Sequence, residues 1–327
     1  MHIFYILCSY LLSISSITKF AVMKSILSII FSLFFLCSLT IKSQGQYNWD
    51  IGIRLGSTNY LGEIGGKEKT RRNFILDLRT PNTGFVIGGF ARYKINNYWS
   101  VNAQINYGQI RGDDVHSTNP GRMWRNLRFK NNILELTTRG EFNFFEEPDL
   151  GGRGRYKNEF KSFIHAGLTC FYHNPKGSID GNTWHLLQPL QTEGQKYSKI
   201  GLGIPLGLGG VFTFDRNHRI GIDFSWTSTF TDYLDDISTV YQDPSQMSSL
   251  SASLANQSEG VVPIEESLNF VAGEKRGDPT HDDAYIFMTV SYSYFIQSRN
   301  KYYKNSRAKL RRGRGRRSKG RKIRAKF

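Results

Sequence analysis

The sequence predicts an all-β protein, an eight-stranded antiparallel transmembrane β-barrel of the outer-membrane type with a disordered basic C-terminal tail. Three observations predict it. Apolar and polar residues alternate in successive runs, the connections between runs alternate between long and short, and the N-terminal segment has the make-up of an export signal. Aromatics at 14% and 32 glycines suit a sheet with turns and aromatic belts better than a helical fold.

A period of two places successive side chains on opposite faces of a strand. In Trp99–Gln109, the side chains of Trp99, Val101, Ala103, Ile105 and Tyr107 share one face, and Ser100, Asn102, Gln104 and Asn106 share the other. In 220–230, Ile220, Ile222, Phe224, Trp226 and Phe230 oppose Asp223, Ser225, Thr227 and Thr229. Eight such runs are expected, at about 47–60, 83–96, 98–111, 131–145, 160–172, 199–214, 217–231 and 283–296. Each reaches the roughly 9–11 residues with which a tilted strand crosses a bilayer.

Short connections fall at Asn96-Asn97 and Asp215-Arg216-Asn217, where Asn and Asp tolerate positive φ, and a modest one at 146–159. The connections 61–82, 112–130, 173–198 and 232–282 are long. Outer-membrane barrels have short periplasmic turns and long outer loops, and an even strand count returns both ends to the periplasm. Aromatics add two expected belts. Tyr47, Trp49, Tyr93, Tyr98, Phe144, Phe214 and Tyr294 fall near the periplasmic rim, and Tyr60, Tyr107, Tyr172, Phe230 and Tyr233 near the outer one.

The chain divides into a signal region 1–45, a barrel 46–298 and a tail 299–327. Met23-Lys24, an apolar run and Ser43-Gln44-Gly45 form a charged start, an apolar core and a small-residue exit, with cleavage expected after Gly45 and translation expected to begin at Met23. The net charge of +16 is unevenly placed: the tail holds 15 Lys and Arg and the first 45 residues hold Lys19, Lys24 and Lys42, which leaves −2 for residues 46–298. Cys8 and Cys37 lie in the signal region, so Cys170 has no internal disulfide partner and reads as a small apolar strand residue.

Arg54, Arg92, Glu135, Arg139, Glu141 and Asp223 fall on the face opposite the lipid face and are expected to form a charge network in the lumen. An eight-stranded barrel is about filled by its own side chains, which argues against a general porin. His281-Asp282-Asp283, His173 and His185 form no constellation with a nucleophile, there is no G-x-S-x-G, and no motif calls for a cofactor or metal. Gly207–Gly210 lack the setting of a phosphate loop and read as sites of curvature or close packing. The tail residues Arg311, Arg312, Arg314, Arg316, Arg317, Lys319, Arg321, Lys322, Arg324 and Lys326 are candidate partner contacts. In a periplasmic tail they point to an acidic protein surface, anionic lipid or peptidoglycan rather than nucleic acid.

The segments Asn59-Tyr60-Leu61-Gly62-Glu63-Ile64-Gly65-Gly66, FARYKINNYWSVNAQINYGQIRGDD at 90–114, THDDAYIFMTVSYSYFI at 280–296 and the ending Arg324-Ala325-Lys326-Phe327 resemble PorG-like barrels. The resemblance implies a non-enzymatic outer-membrane component of the type IX protein secretion system, a machine often coupled to gliding motility. It further implies contact with a periplasmic ring of PorK- and PorN-like proteins. The competing expectations are an independent structural or adhesive barrel acting through its outer loops, a barrel enzyme using His281 or His185, and a narrow transporter.

Overall fold

The computed structural model describes residues 48–65, 82–147, 158–215 and 217–297. The signal region, Tyr47 and the basic tail, with every expectation placed on them, lie outside the described residues. The alternating runs form strands β1 (Asn48–Leu61), β2 (Gly84–Lys94), β3 (Trp99–Asp113), β4 (Arg128–Glu147) and β5 (Glu159–Tyr172). Two short strands follow, β6 (Pro175–Gly177) and β7 (His185–Leu186), and then β8 (Ile200–Phe214), β9 (His218–Thr229) and β10 (Ala284–Gln297). Each long strand pairs antiparallel with its neighbours in the order β3-β2-β1-β10-β9-β8-β5-β4, and β3 pairs with β4, so the sheet closes. Closure leaves no unpaired edge among these eight strands, the condition for backbone placed in hydrocarbon.

Side-chain parity divides the wall. Ile53, Ile87, Ile105, Leu136, Leu208 and Ile222 stand exposed on the outside, and Ile222 has 68% of its surface open. Such a band of aliphatic side chains around a closed sheet is a lipid-facing exterior. Cys170 is also exposed on this face, as a free thiol. Strand β8 carries the division to its limit, with Leu202, Ile204, Leu206 and Leu208 outside and Gly201, Gly203, Gly207 and Gly209 inside. The bare inner face makes room for both neighbouring strands: a Cβ on Gly207 would sit 2.0 Å from the Phe224 carbonyl of β9 and 2.6 Å from His165 Nε2 of β5, and one on Gly201 would meet the Phe171 ring of β5 at 2.4 Å.

At the end that carries both chain termini of the barrel, the connections are short. Asn96 turns the chain with its side chain and not with positive φ: its Oδ1 accepts the Tyr98 and Trp99 N–H groups at 2.8 and 2.7 Å. Asp215 does adopt φ 48° between β8 and β9. A register shift between Asn143 and Phe145 lets both Phe144 and Phe145 face outward at this rim, beside Tyr98, Trp99 and Tyr294.

At the opposite end β4 extends past the barrel and pairs with β6, which pairs with β7. The described parts of the long connections fold over the opening and contain two α-helices, α1 (Pro120–Arg125) and α2 (Ser249–Ala255). Leu234 and Ile237 insert from the last loop into an apolar cluster with Tyr60, Phe129, Ile133 and Phe171. Two aromatics expected in the outer belt are therefore elsewhere. Tyr60 is on the inward parity of β1 and is buried, donating its hydroxyl to Asp283. Tyr233 belongs to the loop cap, stacked on Tyr197 at 4.6 Å. Tyr107, Tyr172 and Phe230 do face outward.

Replacing Ile222 with Arg puts a charge on the lipid face and is expected to weaken folding into vesicles by about 2–4 kcal/mol. Urea titration of the vesicle-inserted protein, followed by tryptophan fluorescence, measures it.

Candidate functional site

The inward residues of the lower barrel form one connected charge network. Asp50 receives Arg92 at 2.9 Å and Arg219 at 3.1 Å. Arg92 also pairs with Glu141 at 2.5 Å, and Glu141 with Arg139 at 3.3 Å. Arg139 reaches Asp223 at 2.8 Å, where Arg54 at 3.4 Å and His165 at 3.2 Å converge on the same carboxylate. Glu135 stands higher, held without an ion pair by Asn106 at 2.7 Å and the Tyr285 hydroxyl at 2.6 Å. Arg54, Arg92, Arg139 and Arg219 thus share the interior with Asp50, Glu135, Glu141 and Asp223, all buried.

All six residues selected from the sequence lie in this interior, five of them in the chain of ion pairs. Asp50, Arg219 and His165 were missed, though each has the inward parity of its strand: Asp50 lies two pairs below Arg54, and Arg219 four residues before Asp223. Near the end with the short turns the network borders a cavity of about 20 Å³ lined by Asp50, Arg92, Glu141 and Arg219, room for about one water.

The mouth is held by two buried clamps. Arg125, on α1, pairs with Asp114 at 2.9 Å and donates to the carbonyls of Arg276 and Glu63 at 3.0 and 2.9 Å. Asp114 also accepts the Gly65 N–H at 2.9 Å. Arg276 pairs with Glu193 at 2.8 Å and donates to the Asp236 carbonyl at 2.7 Å. Glu193 in turn accepts the Ser238 and Thr239 N–H groups at 3.1 and 2.9 Å. Each clamp joins different outer loops, so the four connections form one cap. None of these residues stands in an alternating run, and no local pattern marks them.

The three candidate histidines are not brought together. His173 is buried at the end of β5 against Phe171 and Tyr197, not solvated in a loop, and its Nε2 lies 3.0 Å from the Ser198 carbonyl. His185 lies in β7, and His281 is half-exposed beside Asp278 at 3.1 Å. The described residues that could hold a metal ion are Glu63, Asp232 and Asp283, gathered where the mouth loops meet the barrel. Above them a cavity of about 490 Å³ opens between the loops, with Glu63, Arg125, Arg276 and Asp283 in its wall.

The closed eight-stranded wall, aliphatic outside and charged within, defines an outer-membrane-type β-barrel. The chain belongs to the family described as "Domain of unknown function (DUF6089)", which it matches over residues 24–275. No curated protein matches it. Solved structures similar to it include Ail, the attachment invasion locus protein of Yersinia pestis, in complex with the heparin analogue sucrose octasulfate. The identity is 11% and the TM-score 0.31, over 76% of this chain and 99% of that one. OprG of Pseudomonas aeruginosa is similar at 9% identity and a TM-score of 0.35, over 77% and 97%. The N-terminal β-barrel domain of OprF from the same organism gives 11% and 0.31, over 76% and 99%. Likenesses this distant say nothing of ligand or role.

Asp223→Ala leaves Arg54 and Arg139 facing each other without their shared carboxylate, and is expected to destabilise the barrel by about 3–5 kcal/mol in urea unfolding from vesicles. A second test concerns pH. Asp236 accepts the Tyr197 hydroxyl at 2.6 Å and a bond from Thr192, and burial pushes its carboxyl up to about 6 while Arg276 pulls it down. Because the folded value lies above the ordinary 3.8, the folded state keeps a proton that the unfolded chain releases. That stabilisation is complete below the ordinary value and is lost as pH rises through the folded one. Asp236→Asn does not titrate, so its 232–282 loop should be cleaved progressively more slowly than the wild-type loop as limited proteolysis moves from pH 5 to pH 8.

Proposed function

We propose that the protein is an outer-membrane component of the type IX secretion system that anchors or contacts the periplasmic ring and carries out no catalysis. The observation that carries this reading is the filled interior. A lumen crossed by the Asp50–Arg92–Glu141–Arg139–Asp223 chain gives the barrel the make-up of a membrane anchor and not of a pore. The sequence resemblance to PorG-like barrels supplies the machine. The barrel is embedded by its aliphatic exterior, with the short turns toward the periplasm and the folded cap outside. The tail 299–327, with its 15 Lys and Arg and no Asp or Glu, is the contact with an acidic face of a ring built from PorK- and PorN-like proteins. Arg311, Arg312, Arg314, Arg316, Arg317, Lys319, Arg321, Lys322, Arg324 and Lys326 form its densest part.

A second reading, an independent adhesive barrel, is favoured by one observation. The outer cap exposes apolar side chains in its last loop, with Ile264 at 92% and Leu268 at 73%.

A pull-down from membranes of full-length protein and of protein truncated after Ser298 separates the two. The full-length protein is expected to retrieve the periplasmic ring, in a salt-sensitive manner, and the truncated protein to insert normally and retrieve much less. If both insert and neither retrieves a periplasmic partner, the anchoring role falls and the adhesive barrel is the better account.

A further inference from the structure

The first outer loop supplies Glu63, and the last supplies Asp232 at its start and Asp283 at its end. A carboxylate oxygen from each lies within 4.8 Å of the other two. A calcium ion binds oxygens at about 2.3–2.6 Å, so oxygens on opposite sides of one ion stand about 5 Å apart, and the three carboxylates fit one coordination sphere.

Closeness of acids alone does not make a site, but two further observations point to a ligand. Asp232 is only 7% exposed, and beyond the Ser238 hydroxyl neither of its carboxylate oxygens meets a hydrogen-bond partner. Tyr241 is 4% exposed, its hydroxyl has no hydrogen-bond partner, and it lines the cavity whose wall includes Glu63 and Asp283. A buried polar group left in this state is costly unless something else satisfies it.

Among the described residues Arg125 is engaged with Asp114 and Arg276 with Glu193, and no ion pair reaches Asp232 or Asp283. The Tyr60 hydroxyl and the Leu234 N–H take one lone pair on each Asp283 oxygen, which leaves each oxygen another for a metal. Oxygen donors select a hard ion, and calcium sheds its water for an all-protein set of ligands more readily than magnesium.

We infer that Glu63, Asp232 and Asp283 bind a calcium ion that fastens both ends of the 232–282 loop to the first outer loop. The ion reaches its ligands through the 490 Å³ cavity. The outer cap is then set by the calcium of the external medium, independently of what the periplasmic side contacts.

The test uses the full chain refolded in detergent and freed of metal with a chelator. Calcium chloride is titrated in by calorimetry, and cleavage within 232–282 is followed by limited proteolysis. Wild type is expected to bind one calcium ion and to be cleaved at least tenfold more slowly with the ion present. Asp232→Asn should lose the binding and the protection. Glu63→Gln checks the site from the other loop and should weaken binding. Absence of calcium heat and of protection in the wild type, a measurement that needs no variant, overturns the inference. So does an Asp232→Asn protein that runs as a folded, heat-modifiable barrel and responds to calcium as the wild type does.

Discussion

Asp223 is the residue on which the interior of the barrel depends. Its carboxylate meets Arg139, Arg54 and His165, and through Arg139 it is joined to Glu141, Arg92, Asp50 and Arg219. A ring of eight strands is only wide enough for side chains, so charges turned inward have little water to solvate them and must neutralise one another. Four arginines and three acids from β1, β2, β4 and β9 do so here, with His165 of β5 beside them, and another strand yields space to them. Strand β8 is the one that yields: its inner glycines admit Phe163, His165 and Phe171 of β5.

The same constraint is met differently at the mouth. There the barrel is stopped by an apolar plug, with Leu234 and Ile237 from the last loop against Ile133, Phe129 and Phe171 from the wall. Lowering loop backbone into a barrel buries N–H and C=O groups, which need partners. Asp235 takes the Ile237 N–H, Asp283 takes the Leu234 N–H, Arg125 takes a carbonyl from the last loop, and Arg276 takes the Asp236 carbonyl within that loop. The acids that serve the backbone in this way lie close to one another at the mouth.

The exterior imposes a separate condition. In hydrocarbon every backbone group must be bonded within the wall, and the closing pair β3–β4 runs through fifteen residue pairs from Trp99↔Phe142 to Asp113↔Arg128. The aliphatic band and the charged lumen belong together: one faces lipid, and the other pairs the charges turned inward.

The alternation in Trp99–Gln109 and in Ile220–Phe230 was enough to place β3 and β9 and to say which side of each faces lipid, because a period of two is a local property of the chain. The loop lengths gave the topology for a similar reason, since neighbouring antiparallel strands need only a turn between them. Inward charges such as Arg54 and Asp223 were legible by parity, and Asp50, Arg219 and His165 were open to the same argument. The partners were not: Arg54 and Asp223 are 169 residues apart, and only closure of β1 on β10 and β10 on β9 brings them into contact. Tyr60 shows the limit within one strand, because its position at the rim suited a lipid belt while its parity and the Asp283 carboxylate drew it inside. The clamps Arg125–Asp114 and Arg276–Glu193 and the carboxylates Glu63, Asp232 and Asp283 lie in segments without periodicity. The sequence by itself determined the wall, its two faces and its two ends. The tertiary structure alone decided which loop residues meet, because an irregular chain carries no repeating geometry from which a distant contact can be read.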